Sequence, residues 1–310
     1  MNPITIDVCV VTYRRPELLA RLLASLARQQ LPEGVSYRVI VVDNDRDRSA
    51  APVIEEARKS GLALVSDVEP EKNVSLARNR SLVLASAEYV AMVDDDAVAP
   101  PDWLAQLLAT ARAYQADAVF GPVERVFPPD APAHILNCGV FEQPDYPTGA
   151  TENLIYRTGN TLFRRAVVDS VRGPFDPGFG TTGGEDLFLF HNLQLAGAKV
   201  VWCREARVTE TVLPERVSIR WTAQRAFREG NTYYRTYREW FALPDKPLYR
   251  RCVGLLLWST KTCVVILTLA VAGVVKRDAW TDAVRLLRGL CRNLGVLAAT
   301  LGVHYHEYRE

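Results

Sequence analysis

The chain turns on one stretch, Glu88–Trp103, which reads EYVAMVDDDAVAPPDW. Tyr89–Val93 is a short apolar run of the kind that forms a strand buried on both faces. It stops at Asp94, Asp95 and Asp96, and Pro100-Pro101 then opens a helix at Asp102–Trp103. Three carboxylates at the end of a buried strand repel one another and lose hydration, so they need a cation or hydrogen-bond donors. Oxygen ligands of this kind suit Mg²⁺ or Mn²⁺, which keep waters and bind through one or two carboxylates plus substrate phosphates. A solvated acidic turn is the plainer alternative, and the apolar strand before it and the helix after it weigh against that. In open α/β sheets, ligands gather at the carboxyl ends of strands, where these residues fall.

At 310 residues the chain has room for one large or two modest domains. Its 48% hydrophobic and 24% charged residues are enough for a globular core. A net charge of +1 argues against a general nucleic-acid binder, so no nucleic-acid partner is expected. The six cysteines are scattered, without CxxC or metal spacing, and read as reduced thiols of a cytosolic protein. His304 and His306, in the terminal HYHEYRE, read as tail residues. The start, MNPITIDVCVV, lacks a basic region followed by a long apolar run, so no signal peptide is expected.

In order, Ile6–Val11 reads as a first strand running into Thr12-Tyr13-Arg14-Arg15-Pro16, and Pro16 opens a helix with Leu18, Leu19, Leu22, Leu23 and Leu26 on one face. Tyr37–Val42 reads as a second strand, closed by Asp43-Asn44-Asp45. A helix (about 52–60), a third strand (63–66) and a helix over Val74–Ala85 follow, the last carrying Arg78, Asn79 and Arg80. This alternation predicts an α/β fold, a mostly parallel sheet with helices on both faces. The turn after the first strand has no glycine, so a dinucleotide fingerprint is absent, as are a P-loop and an early GxGxR turn. Phosphate must be handled another way, and the acidic triple with a divalent ion is the available candidate.

TYRRP, VVDND, NVSLARN and VDDDAVAPPDWL occur in that order, and from about Ile6 to Gly230 the chain resembles a family 2 glycosyltransferase of the GT-A fold. The resemblance implies that Thr12, Tyr13 and Arg14 line the nucleotide base and that Asp43, Asn44 and Asp45 contact base or ribose. It further implies that Arg78 and Asp95 belong to the nucleotide-sugar site, and that Asp96 holds the metal with Asp94 beside it, facing the ribose. Asn44 stands where many members carry Asp, which leaves the base open. An ordinary Asx turn remains the alternative for Asp43–Asp45.

Farther on, Ala118–Val126 reads as a strand bent at Gly121-Pro122, 128–158 as an irregular proline-rich loop region, and Gly159–Arg164 as a strand. Glycines precede Glu185-Asp186 in FDPGFGTTGGEDLFLFHNLQL. Acids in a first helical turn are favoured by the dipole, so capping is one reading. The other is chemical: a sugar hydroxyl is a poor nucleophile, and an inverting transferase needs a carboxylate to take its proton. The resemblance makes Asp186 that base, Glu185 an acceptor or positioning residue, and Gly183 and Gly184 part of the acceptor or diphosphate side. Ser218–Tyr234 predicts a helix ending at Gly230, whose Arg225 and Arg228 form either a solvated basic face or a contact to a diphosphate. GPVERVF, TGGED and WTAQRAFREG resemble most the β-1,4-glucosyltransferase type of succinoglycan and related exopolysaccharide assembly.

Cys252–Val275 is an apolar run of 24 residues, long enough for a bilayer, but Lys261 inside it would cost about 2.5–3.5 kcal/mol at mid-membrane. A second apolar helix, Ala283–Val303, carries Arg285, Arg288 and Arg292. An interfacial or re-entrant pair, a true span and an ordinary helical lid all remain open. The expected organisation is a transferase domain over 1–245 (nucleotide-sugar half 1–127, acceptor half 128–245) and an apolar helical region over 246–310. The expected protein is a metal-dependent inverting glycosyltransferase at the inner face of the cytoplasmic membrane. Its donor would be a nucleotide sugar, a UDP-sugar foremost, and its acceptor lipid-linked or an oligosaccharide. A sugar-nucleotide-forming nucleotidyltransferase and a non-catalytic sugar-binding module are the rivals.

Overall fold

In the computed structural model, which describes residues 3–152, 157–237, 265 and 277–305, the alternation becomes a seven-stranded sheet. The strands are β1 (Ile4–Thr12), β2 (Val35–Asp43), β3 (Leu64–Val68), β4 (Tyr89–Val93), β6 (Ala118–Phe120), β8 (Asn160–Arg164) and β9 (Val200–Trp202), in the spatial order β3-β2-β1-β4-β8-β6-β9. All neighbours are parallel except β8, which runs antiparallel to both β4 and β6. A small second sheet joins β5 (Ala97–Val98), β10 (Val208–Thr211) and β7 (Val123–Val126).

The two faces of the sheet follow from strand alternation. Ile6, Val8 and Val10 of β1, Val39 and Val41 of β2, and Tyr89, Ala91 and Val93 of β4 enter one core. Against it pack α1 (Pro16–Leu26) through Leu19, Leu22, Leu23 and Leu26, α2 (Ala51–Lys59) through Ile54, and α4 (Trp103–Ala113) through Trp103, Leu104, Leu107 and Leu108. Cys9, Ile40, Val90 and Met92 point the other way, onto Leu82 of α3 (Val74–Leu84) and Leu189, Phe190 and Leu193 of α7 (Glu185–Leu195). The fold is a three-layer α/β arrangement, as the strand–helix alternation predicted.

The run predicted as one bent strand over 118–126 is two strands in two sheets. A Cβ at Gly121 would lie 2.3 Å from the Ala206 carbonyl oxygen, so only glycine fits where the chain changes sheet.

Packing divides the chain into two units. The first, Met1–Val126 with Gln143–Thr181 and Glu185–Thr211, holds both sheets. The second, Phe127–Glu142 with Thr182–Gly184 and Val212–Glu310, contains α5 (Ala133–Leu136), α8 (Ile219–Thr236) and the helix over Arg277–Thr300. A further short helix, α6 (Arg165–Asp169), belongs to the first unit, so the last helix is α9.

Helix α8 starts where expected, with Ser218 capping the Trp221 N–H at 3.2 Å, but it does not end at Gly230. Gly230 is a crossing point instead: a Cβ there would lie 1.8 Å from the Arg292 carbonyl oxygen of α9, and one at Gly295 would lie 1.9 Å from that of Phe227. The two helices approach backbone to backbone, so the glycine serves packing and not termination. The second apolar helix is thus α9, buried at Ala283, Val284, Leu290 and Ala299. The apolar run over 252–275 and the expected boundary at 245 lie outside the described residues. Among the described residues no helix is long and apolar enough to cross a membrane.

Candidate active site

β4 delivers the acidic triple. Its five residues are all buried, and the chain leaves the sheet at Asp94 because Ala97 N–H turns back to the Asp94 carbonyl at 3.1 Å. The three carboxylates then diverge. Asp95 (6% exposed) points inward, accepting the Thr12 hydroxyl at 2.7 Å and an Arg15 N–H at 3.3 Å. Asp96 (8% exposed) shares that guanidinium at 3.4 Å. The Asp94 side chain is 53% exposed. A Cβ on Gly159 would lie 2.3 Å from Asp94 Oδ2, so a larger residue there would have to push the Asp94 carboxylate aside.

Charge compensation here is partial. Burial raises the Asp95 carboxyl to about 6, against the opposing pull of Arg15 and Thr12, with Asp96 and Asp94 adding to the rise. Asp94 is also raised, first by burial and then by Asp96 and Asp186, with Arg78 opposing. A cluster short of positive charge suits a cation. Among the described residues no three His, Cys, Asp or Glu side chains converge into a ready-made metal cage. Two carboxylates, Asp94 and Asp96, fit the Mg²⁺ or Mn²⁺ habit of completing the shell with water and phosphate oxygens.

One arginine ties this end of β4 to the second acidic motif. Arg78, on α3, stands 2.7 Å from Glu185 Oε1 through Nη1 and 3.5 Å from Asp94 Oδ1 through Nη2. The helix α3 is aimed by Asn73, whose side chain caps the Ser75 and Leu76 N–H groups. Glu185 is turned inward, whereas Asp186 is half-buried and close enough to raise Asp94. Asp186 Oδ1 also takes the adjacent Leu187 N–H at 3.0 Å, so the helix-start role and a position beside the triple coexist.

The other sequence candidates form a neighbouring group at the ends of β1 and β2, where Thr12 pairs with Asp43. Asp43 accepts the N–H groups of Asp45 and Ala50 at 3.0 and 2.8 Å, the Asx-turn alternative, and burial raises its pKa. Asn44 faces inward too: its amide donates to the Glu69 and Glu71 carbonyls, and its oxygen takes the Asn73 N–H. Thr12 thus donates to Asp95 and Asn44 bonds to backbone, so both brace this corner of the sheet. Asp45 is paired with Arg14, which holds its carboxyl below the usual range. The Arg14 guanidinium and the Lys72 ammonium lie 5.3 and 5.4 Å from the centroid of the Tyr13 ring. Arg14 itself sits at φ 54, an unusual conformation for a non-glycine residue at a functional turn.

Arg225 and Arg228 belong to the second unit, as do Gly183 and Gly184, whose φ values of 74° and 101° require glycine. Two residues escaped the sequence reading. Gly159 had no distinguishing signal. Arg15 had one: it occupies the N-cap of α1 without a side-chain cap, where helix polarity disfavours a cation. A cation placed against local preference points to a distant anionic partner, here Asp95 and Asp96.

A profile of the family described as "Glycosyl transferase family 2" matches residues 7–172, more than half of the chain. The chain belongs to glycosyltransferase family 2. The succinoglycan biosynthesis protein ExoM of Rhizobium meliloti is 39% identical over 238 residues, 76% of this chain and 75% of that protein. A glucosyl-dolichyl phosphate glucuronosyltransferase of Haloferax volcanii is 24% identical over 73% of this chain and 75% of its own. Among solved structures, the mannosyltransferase PcManGT from Pyrobaculum calidifontis, in complex with GDP-Man and Mn2+, superposes with a TM-score of 0.63 at 18% identity, over 97% of this chain and 88% of that one. S. aureus TarS 1-349 in complex with UDP-GlcNAc gives 0.56 at 17% identity, over 98% and 93%, while of another TarS crystal structure the chain spans 55%. The protein is a glycosyltransferase with the GT-A fold.

Proposed function

We propose that this family 2 glycosyltransferase is a metal-dependent inverting enzyme that moves a sugar from a nucleotide-sugar donor, a UDP-sugar foremost, onto a lipid-linked saccharide in exopolysaccharide assembly. The observation that carries this reading is Arg78, which bridges Glu185 of the GGED motif and Asp94 of the acidic triple. Asp186, which follows Glu185 and acts electrostatically on Asp94, is thereby kept beside carboxylates able to handle a diphosphate. ExoM, by its name a succinoglycan biosynthesis protein, supports the exopolysaccharide assignment, and the nucleotide-sugar complexes of the structural relatives support the donor.

The acceptor hydroxyl oxygen attacks the anomeric carbon as the bond from that carbon to the donor phosphate breaks. Asp186 takes the hydroxyl proton, the nucleoside diphosphate departs with the bonding electrons, and the anomeric configuration inverts. Asp94 and Asp96 would hold the divalent ion, which when bound supplies charge neutralisation for the departing diphosphate. Arg78 keeps Glu185 turned inward, and that fixes the first turn of α7 so that Asp186 faces the site. Tyr13, bordered by two cations, offers a stacking surface for a base attached to an anionic diphosphate. Docking on the inner membrane surface fits a lipid-linked acceptor and the basic residues of α9.

Incubation with candidate nucleotide sugars and Mn²⁺ tests the proposal. Sugar transfer, or slow release of the nucleoside diphosphate with water as acceptor, is expected. Release of inorganic pyrophosphate would instead identify a nucleotidyltransferase, and binding without turnover a non-catalytic module.

A further inference from the structure

The Arg78 guanidinium meets more than carboxylates. Its central carbon lies 5.4 Å from the centroid of the Phe175 ring, which is fully buried. A cation over an aromatic face is attracted by the ring quadrupole, the more so where water is excluded. The Arg78 side chain is only 13% exposed, so this contact lies largely out of water. A guanidinium is planar, and a flat apolar surface restrains its tilt without taking up its N–H donors. Those donors stay on Glu185 and Asp94.

Phe175 is in turn fixed by the residue next to Arg78. The Asn79 side-chain amide donates to the Phe175 carbonyl at 2.7 Å, and the Phe175 N–H donates to Asn79 Oδ1 at 3.1 Å. One side chain thus takes both backbone polar groups of a residue 96 positions away. Two more bonds from the start of α3 hold the segment that follows. Asn73 Nδ2 donates to the Pro177 carbonyl at 3.1 Å, and the Val74 N–H donates to that of Gly180 at 3.2 Å. Adjacent residues on a helix do not face each other, so Arg78 and Asn79 take different partners. The partner that Asn79 grips is the residue whose ring supports Arg78. Burial alone would leave the ring the freedom of its loop, and the two amide bonds remove that freedom.

We infer that Asn79 and Phe175 are positioning residues: Asn79 locks the Phe175 backbone, and the Phe175 ring holds the Arg78 guanidinium where it reaches Glu185 and Asp94. The inference rests on the proposed transferase reading, in which the Arg78 bridge aligns the two acidic motifs. Its first test does not depend on turnover.

Full-length protein with ¹⁵N-labelled arginine is observed by NMR, the Arg78 Nε–H signal being the one lost in Arg78→Lys. An aromatic face shields protons above it, so this signal should move downfield in Phe175→Leu, which keeps the position apolar. Asn79→Ala should move it the same way although the ring is intact, and Asn79→Ser is the milder variant should alanine not fold. An Arg78 signal that stays in place in the Phe175 and Asn79 variants overturns the inference.

Transfer supplies the second test, with the nucleotide sugar that supports a single turnover. Phe175→Leu should slow that turnover about tenfold. In an Arg78→Gln background the same substitution should cost nothing further, because the group that the ring held is gone. Losses that multiply would make Phe175 a core residue acting independently of Arg78, and would overturn the inference. If the parent transfers no sugar while the Arg78 signal moves as expected, the proposed function fails and the positioning of Arg78 stands.

Discussion

Arg78 and Glu185 lie 107 positions apart in the chain and 2.7 Å apart in space. Both are largely buried, and the second nitrogen of the same guanidinium reaches Asp94 at 3.5 Å. Removing one partner of such a pair strands the other charge, at a cost of about 3–5 kcal/mol. This ion pair brings the two acidic motifs together.

Glu185 and Asp186 should therefore fail differently. Glu185→Gln is expected to lower the melting temperature and to weaken donor and Mn²⁺ binding, because Arg78 loses its anchor. Asp186→Asn should leave stability and donor affinity near those of the parent while single-turnover transfer falls about 10²–10⁴-fold. If Asp186→Asn transfers normally while Glu185→Gln keeps donor affinity but loses single-turnover transfer, the base is Glu185.

Arg15 Nη1 stands 3.4 Å from Asp96, so in the proposed metal site it would compete with the divalent ion for that carboxylate. Arg15→Gln should tighten Mn²⁺ binding to the nucleotide-free protein, read by electron paramagnetic resonance, whereas Asp96→Ala should weaken it. The scale is that of a charge-assisted hydrogen bond, about tenfold. Unchanged Mn²⁺ affinity in both variants would remove Asp96 from the metal site.

Asp95 supplies a pH test with a definite sign. Its carboxyl titrates near 6 in the folded protein and near the ordinary 3.8 when unfolded, so the folded state binds more protons between those values. Stability from this group is thus lost as pH rises from about 4 to about 6. Asp95→Asn cannot ionise, so its melting temperature relative to the parent should climb across that window and level off above it. A difference that stays flat with pH would show that burial does not strain this carboxylate.

Gly230→Ala sets helix propensity against close packing. Alanine gains about 1 kcal/mol in an exposed helix, but here its Cβ would meet the Arg292 carbonyl oxygen at 1.8 Å. Backbone cannot rotate away as a side chain can, and overpacking costs about 1–3 kcal/mol. The variant should melt earlier than the parent by calorimetry. A higher melting temperature would mean that α8 and α9 do not cross at Gly230 and Gly295.

The order of strands and helices up to β4, the buried β4 itself and the exit of the chain into Asp94–Asp96 were legible in the residues, because hydrophobic period and proline placement act over a few neighbours. The family was legible for the same reason, its motifs being short and contiguous. What tertiary structure decided was which polar groups face the site. Thr12 and Asn44 carry the chemistry of ligand contacts yet are consumed by Asp95 and by the Glu69, Glu71 and Asn73 backbone. Arg15, passed over in its own motif, reaches two of the three carboxylates. Gly230 looks like a helix end and is a helix crossing, because the atom that excludes a side chain there belongs to Arg292. A hydrogen bond is settled by whichever partner the fold brings within about 3 Å, and nothing local to a residue states which partner that is.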